Sequence, residues 1–207
     1  MAEALFIQFA RAPAPGRVKT RMLPALDPLE ACELHRDLVL WTTRTLTGAG
    51  LGPVELHVTG STASPLFQQC LGLGIRAVIP QRGGDLGARM CHALADGLAQ
   101  HVRVVLVGSD CPQIDRDYLS QAVSALDEHD VVLGPAQDGG YVLIGARRVD
   151  ECWFEGIDWG TGAVYAQTLA RLAQSGACWA ALETLRDIDR PEDLSLWRDI
   201  AGLQRRG

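Results

Sequence analysis

Short apolar runs alternate with stretches of helical period along this chain. Residues 5–9, LFIQF, predict a first β-strand. Asp27 and Pro28 then supply an N-cap and a first helical position, opening a long helix toward Leu46 with Leu34, Leu38 and Trp41 on one face. A second strand is predicted at 54–58 (VELHV), a short helix at 66–71 and a third strand at 75–79 (IRAVI). Asp85 reads as the cap of a helix striped by Leu86, Met90, Leu94 and Leu98. VRVVLVG, residues 102–108, is the most apolar run and the predicted centre of the sheet. A helix from about Asp115 carries Leu119, Ala122, Val123 and Leu126 on one face. The strand DVVLG, the turn and strand AQDGGYVLIGA, a helix over 163–173, the strand CWAALETL and a closing helix complete the pattern.

Such alternation predicts an α/β fold, a three-layer α/β/α sandwich around a mostly parallel sheet. At 207 residues, with no repeat, linker or low-complexity segment, the chain is expected to form one domain over 1–207. Residues 139–161 break the period and predict a small antiparallel excursion covering a site.

In open α/β sheets ligands bind beyond the carboxyl ends of the strands. Several chemically distinctive stretches fall there. RAPAPGRVKTRM, residues 11–22, follows the first strand and gathers Arg11, Arg17, Lys19 and Arg21, with no acid anywhere between Glu3 and Asp27. Lys19 is the only lysine among 19 basic residues, in a chain of formal net charge −6. Arg17, Lys19 and Arg21 alternate, so an extended loop turns them to one side, and Gly16 and the prolines let backbone N–H groups approach an anion. A solvated charged loop is the plainer reading. The loop lacks the GK[ST] of a Walker A motif and the GxGxxG of a dinucleotide site.

Asp110, in GSDCP, ends the central strand and can hold Mg²⁺ against substrate phosphates; Asp115 is the better helix cap and leaves it free. Mg²⁺ is held by one or two carboxylates plus phosphates, which makes Asp187 and Asp189 of DIDRPEDL candidates for the second acid, with helix capping as the alternative for Asp189. Asp138, Gly139, Gly140 and Tyr141 form a glycine turn that admits a ligand or joins two strands. Gly84 and Asp85 read the same way, as ligand contacts or as turn and cap, with Arg82 and Arg89 adding charge nearby.

Other chemistry is disfavoured. The five histidines show no ligand or triad spacing and read as structural or surface residues, Ser109 lacks a GxSxG context, and the five tryptophans are dispersed and read as packing residues. Six cysteines without a CxxC pair suggest reduced, mostly buried thiols in a cytoplasmic protein. The acidic balance argues against nucleic acid as the main partner. No run is long enough for a membrane span, and the first residues lack the basic region of a signal peptide.

FARAPAPGRVKTRM, GGDLGARM, GSDCP, GPAQDGGYVLIGA and DIDRPEDL occur in this order across nearly the whole chain. Together they resemble an uncharacterised family of glycosyltransferase-A-fold proteins, often labelled arsenosugar-biosynthesis glycosyltransferases or nucleotide-diphospho-sugar transferases. The resemblance implies a Rossmann-like sandwich that binds nucleotides. More distantly, the chain is similar to 2-phospho-L-lactate guanylyltransferase and molybdenum-cofactor guanylyltransferase. That similarity implies a triphosphate-handling role for the segment Lys19 to Arg21, metal binding by Asp110, and the second metal acid at Asp189.

The reading that results is a Mg²⁺- or Mn²⁺-dependent transferase. Lys19, Asp110 and Asp138 act in catalysis, and Arg11, Gly16, Arg17, Arg21, Gly84, Asp85, Gly139, Gly140 and Tyr141 contact the nucleotide or its acceptor. Nucleotidyl transfer from a nucleoside triphosphate to a small phosphorylated or hydroxylated acceptor is the first expectation. The alternatives are glycosyl transfer from a sugar nucleotide and non-catalytic nucleotide binding.

Overall fold

Seven strands form one sheet in the order β3-β2-β1-β4-β6-β5-β7. They are β1 (Leu5–Arg11), β2 (Val54–Thr59), β3 (Ala77–Pro80), β4 (Val104–Val107), β5 (Val131–Pro135), β6 (Tyr141–Ala146) and β7 (Trp179–Ala181). Among the described residues six α-helices surround it: α1 (Pro28–Ala49), α2 (Pro65–Gly72), α3 (Leu86–Leu98), α4 (Arg116–Ala125), α5 (Val164–Gln174) and α6 (Leu194–Gln204). The computed structural model describes residues 4–204.

Every strand pair is parallel except those made by β6, which runs antiparallel to both β4 and β5. The antiparallel segment expected over 139–161 therefore lies inside the sheet instead of covering it. Its sequence explains this, because Val142 through Ala146 are buried on both faces and an edge position would expose them. β4 holds the central place that its apolar run predicts.

Strand side chains alternate between two helical layers. Phe6, Leu56, Val58, Val105 and Val107 pack toward α1, α2 and α4, against Val39, Leu46, Phe67 and Leu119. Leu5, Ile7, Val104 and Leu106 pack the other way, against Met90 and Leu94 of α3, Leu172 of α5 and the fully buried Trp153. The sandwich has three layers, as predicted. The start of each predicted helix also holds. Asp27 accepts the N–H groups of Leu29 and Glu30 in a full capping box, Asp85 caps Ala88, and Asp115 caps Tyr118. All six cysteines are free, four of them buried.

A third, smaller cluster matters most for the site. Met22 from the loop after β1 and Ile188 from the loop before α6 are both fully buried against Leu34 and Leu38 of α1, with Trp197 of α6 packed beside them. This contact anchors the basic loop and the DIDRPEDL segment to one another. Ile188 N–H also donates to the Asp110 carbonyl at 2.7 Å, which joins both to the end of β4.

Candidate active site

The parallel strands deliver β1, β2, β3 and β4 to one edge of the sheet, and a cleft of about 440 Å³ opens there. Arg11 lines it from the end of β1, Arg17, Lys19 and Arg21 from the loop that follows, Arg89 from α3, Tyr141 from the start of β6, and Asp110 and Asp189 from loops. Five cations thus face two carboxylates, in a chain that is acidic as a whole. A smaller cavity of about 150 Å³ adjoins it and shares Asp110 and Tyr141; Asp138, Gly140 and Asp187 complete its lining.

Lys19 has a left-handed backbone, φ 49°, and a side chain only 3% exposed. Its ammonium donates to Asp110 Oδ1 at 2.9 Å and to the Ile188 carbonyl. Arg21 pairs instead with Asp189, Nη1 to Oδ2 at 2.6 Å. Arg11 Nη1 donates to the Arg17 carbonyl at 3.3 Å, and neither Arg11 nor Arg17 has a carboxylate partner among the described residues. Their free guanidinium edges suit an anion in the cleft.

The sequence left the choice between Asp187 and Asp189 open, and the family resemblance favoured Asp189. The structure puts Asp189 on Arg21 at the cleft wall and Asp187 in the small cavity with Asp110 and Asp138. Burial raises the Asp187 carboxyl, and the charges of Asp138 and Asp110 raise it further, to about 6. Asp189 does not cap the last helix. It is Asp193 whose Oδ2 accepts the N–H groups of Asp189 at 3.0 Å and Arg190 at 2.7 Å, while its Oδ1 accepts from Arg186 Nε at 2.7 Å.

Asp110, Asp138 and Asp187 thus bring three carboxylates to the lining of one cavity. Among the described residues no group of three acidic, histidine or cysteine side chains is placed to hold a metal ion by itself.

The remaining predicted residues divide. Asp138 is exposed, and its Oδ1 accepts from Gly140 N–H at 2.9 Å, which fixes the turn. Gly139 lines neither cavity. It has φ +87°, and a Cβ there would meet the Gly162 carbonyl oxygen at 2.2 Å, so it seats the start of α5 on the turn. Gly16, at φ +72°, shapes the basic loop without lining the cleft. Gly84 lines neither cavity either. Asp85 caps α3 and faces a separate cavity of about 400 Å³ with His92, Phe154 and Trp159.

Sequence reasoning missed several lining residues. His35 is buried in α1, and its Nε2 donates to the Arg11 carbonyl at 2.8 Å; burial keeps its pKa below the ordinary histidine value, so the imidazole is neutral. Gln81 and Thr59 line the cleft from the ends of β3 and β2. The Gln81 amide donates to the His57 carbonyl at 2.9 Å. Ser109 Oγ donates to the Phe9 carbonyl at 2.7 Å and accepts from fully buried Gln8 at 2.9 Å, and Thr43 donates to Gln8 at 2.8 Å. This network fixes the backbone that presents Asp110. Gln8 within LFIQF was the available signal, since a lone amide in a central strand requires partners.

Similar proteins fit this arrangement. A crystal structure from Desulfovibrio desulfuricans G20, provisionally assigned as a nucleotide-diphospho-sugar transferase, is 31% identical; the match covers 95% of this chain and 87% of that one, with a TM-score of 0.85. CMP:2-keto-3-deoxy-manno-octonic acid synthetase, solved with CTP, shares the fold at 14% identity, covering 98% of this chain and 100% of that one with a TM-score of 0.62. Rv0371c from Mycobacterium tuberculosis H37Rv, solved with manganese, shares it at 17% identity, covering 94% and 97% with a TM-score of 0.53. No curated protein matches the sequence. The profile of a family described as an uncharacterized protein conserved in bacteria, DUF2064, matches residues 42–161, more than half of the chain. With the family profile and the Desulfovibrio relative in agreement, the chain belongs to the DUF2064 family.

Proposed function

We propose that this protein is a metal-dependent transferase acting on a nucleotide, and that it moves a nucleoside monophosphate from a nucleoside triphosphate to a small acceptor. The observation that carries this reading is the meeting of two charge systems at one sheet edge. The cationic cleft is walled by the loop after β1, and it adjoins a cavity whose carboxylates are Asp110, Asp138 and Asp187. A phosphate chain with a bound cation needs both. The CTP complex of the synthetase and the manganese complex of Rv0371c, each on this fold, support the same assignment.

Asp110 and Asp187, with Asp138 beside them, would hold Mg²⁺ or Mn²⁺. When bound, the ion supplies positive charge to phosphate oxygens. Arg11 and Arg17 bind the phosphate chain through their unpaired guanidinium groups. Arg21, clamped by Asp189, holds the wall of the cleft and adds charge. Tyr141, shared by both cavities, marks where donor and acceptor meet. An acceptor oxygen placed there forms the new bond to the α-phosphorus as the bond to the bridging oxygen breaks and pyrophosphate leaves. An acceptor phosphate needs no base. An acceptor hydroxyl puts its proton within reach of Asp138, whose Oδ2 is not used by the turn. Positioning and charge stabilisation carry the rate, as in phosphoryl transfer generally.

Calorimetric titration of metal-stripped protein with nucleoside triphosphates, diphosphates and sugar nucleotides, with and without Mg²⁺ or Mn²⁺, tests the reading. Metal-dependent binding of one triphosphate, with pyrophosphate released on turnover, is the expected result. The assignment of the 31% identical relative favours a second reading, glycosyl transfer. In that case a sugar nucleotide binds best and a nucleoside diphosphate is released.

A further inference from the structure

The basic loop offers four cations, but the one nearest the carboxylates is the single lysine of the chain, and it is used differently from its neighbours. Arg11, Arg17 and Arg21 are exposed. Lys19 is buried, held in a left-handed backbone conformation with its loop pinned beneath it by Met22 and Ile188. Its ammonium contacts only oxygen: Asp110 Oδ1 at 2.9 Å and the Ile188 carbonyl. A carboxylate and a backbone carbonyl are the ligand types a hard cation takes. An ammonium is a compact point charge with three tetrahedral donors, whereas a guanidinium is a planar fork that cannot sit in the same oxygen nest.

Among the described residues Lys19 is also the one cation bonded to the cavity's acids. Neither Asp138 nor Asp187 forms an ion pair among the described residues, and Lys19 pairs with Asp110 alone. Without it, three carboxylates would share about 150 Å³ with no internal counter-charge. The Asp110 side chain is 47% exposed while that of Lys19 is 3% exposed, so the carboxylate faces the cavity and the lysine approaches it from behind.

We propose that Lys19 is an internal cation that balances Asp110 in the ligand-free protein and competes with the divalent ion for that carboxylate. Free metal then binds weakly, because it must enter a site whose charge is already compensated. Metal carried by a phosphate chain binds well, because the phosphates give the displaced ammonium a new anionic partner. The consequence is ordered loading, with metal and nucleotide entering together. This inference rests on the metal–nucleotide reading of the cleft.

The test is binding of Mn²⁺ alone, followed by electron paramagnetic resonance, to the full-length wild type and to Lys19→Met. Removing the lysine is expected to tighten Mn²⁺ binding at least tenfold, although a positive charge on the loop has been lost and nucleotide binding falls. Lys19→Gln, which keeps a donor for the Ile188 carbonyl without the charge, is expected to show the same gain and serves if the methionine variant does not fold. Adding Asp110→Asn to either variant is expected to abolish the gain. Folded variants that bind Mn²⁺ no more tightly than wild type overturn the proposal, as does a gain that survives loss of Asp110. Failure of the metal–nucleotide reading looks different. In that case wild type binds no triphosphate or sugar nucleotide with Mn²⁺ present, whereas failure of the competition alone leaves that binding intact.

Discussion

The carboxylate of Asp193 accepts the backbone N–H of Asp189 at 3.0 Å, and the same oxygen accepts Arg190 N–H at 2.7 Å. Asp193 is buried and its other oxygen is held by Arg186. One side chain therefore sets the turn that places Asp187 in the three-acid cavity, Asp189 on Arg21 and the Ile188 carbonyl on Lys19. Asp193→Ala removes an acceptor from two backbone donors and leaves Arg186 without its partner. A loss of about 2–3 kcal/mol of stability is expected, read by chemical denaturation. The same variant is expected to weaken metal-dependent nucleotide binding at least tenfold, although Asp193 lines neither cavity.

The two aspartates of the DID segment should separate in function. Asp187→Asn removes a carboxylate from the three-acid cavity and is expected to cut metal-dependent turnover at least a hundredfold. Asp189→Asn breaks an ion pair in which the arginine is half exposed, and such pairs contribute little, so turnover is expected to fall less than tenfold. Comparable losses in both variants would contradict the division seen in the structure.

Among the described residues Arg11 and Arg17 carry no carboxylate partner, and under the proposed function their charge serves the ligand. The double variant Arg11→Ala/Arg17→Ala is expected to raise the nucleotide KM about tenfold or more while leaving thermal stability within about 0.5 kcal/mol of wild type. Steady-state kinetics and a melting curve together check this. A large stability loss would mean the arginines hold the loop instead of the substrate.

Much of this architecture is legible in the sequence because local rules and burial agree. Asp27-Pro28, Asp85 and Asp115 each begin a helix where their capping chemistry places it, and the apolar run of 102–108 becomes the central strand β4. The loop after β1, Asp110 and the DID segment gather at one edge, as parallel strands require. What the sequence conceals depends on tertiary register. A strand-like alternation turns 187 and 189 to the same side, opposite buried Ile188, and it is the tertiary turn held by Asp193 that separates them, with Asp187 in the three-acid cavity and Asp189 on Arg21. His35 and Gln81 reach the cleft through helix and strand packing that no local motif encodes. Asp85, in a motif that reads both as ligand contact and as cap, caps α3, while Arg89 of the same motif lines the cleft.

The glycine turn before β6 gives a steric prediction. Gly139 has φ +87°, and a Cβ there would lie 2.2 Å from the Gly162 carbonyl oxygen. Gly139→Ala must relieve a left-handed strain and a backbone clash together, with no flexible side chain to yield. A loss of about 2–4 kcal/mol is expected from denaturant unfolding. Gly160→Ala is the control, since it has φ +82° but nothing within 4 Å of the added carbon, and it should lose about 1 kcal/mol.

Acid stability should depend on a carboxylate far from the cleft. Asp130 lies just before β5 and accepts from Arg147 Nε at 3.2 Å, Arg148 Nη2 at 3.0 Å and the Cys178 N–H at 3.1 Å. It thereby ties the ends of β5, β6 and β7 together. Bonding to Arg148 lowers its pKa most; burial pushes it up, but the Cys178 N–H and Arg147 lower it again and it reaches about 2. A folded-state pKa below that of the unfolded chain stabilises the protein at every pH above the unfolded value, and the contribution fades as pH falls toward the folded value. The Asp130 contribution is therefore complete above about pH 4 and lost as pH falls through about 2. Asp130→Asn is expected to lower stability by about 1–2 kcal/mol at pH 7, with the gap to wild type closing toward pH 2. Denaturation curves over that range decide it, and a difference that stays constant with pH would show that charge on Asp130 is not what joins the three strands.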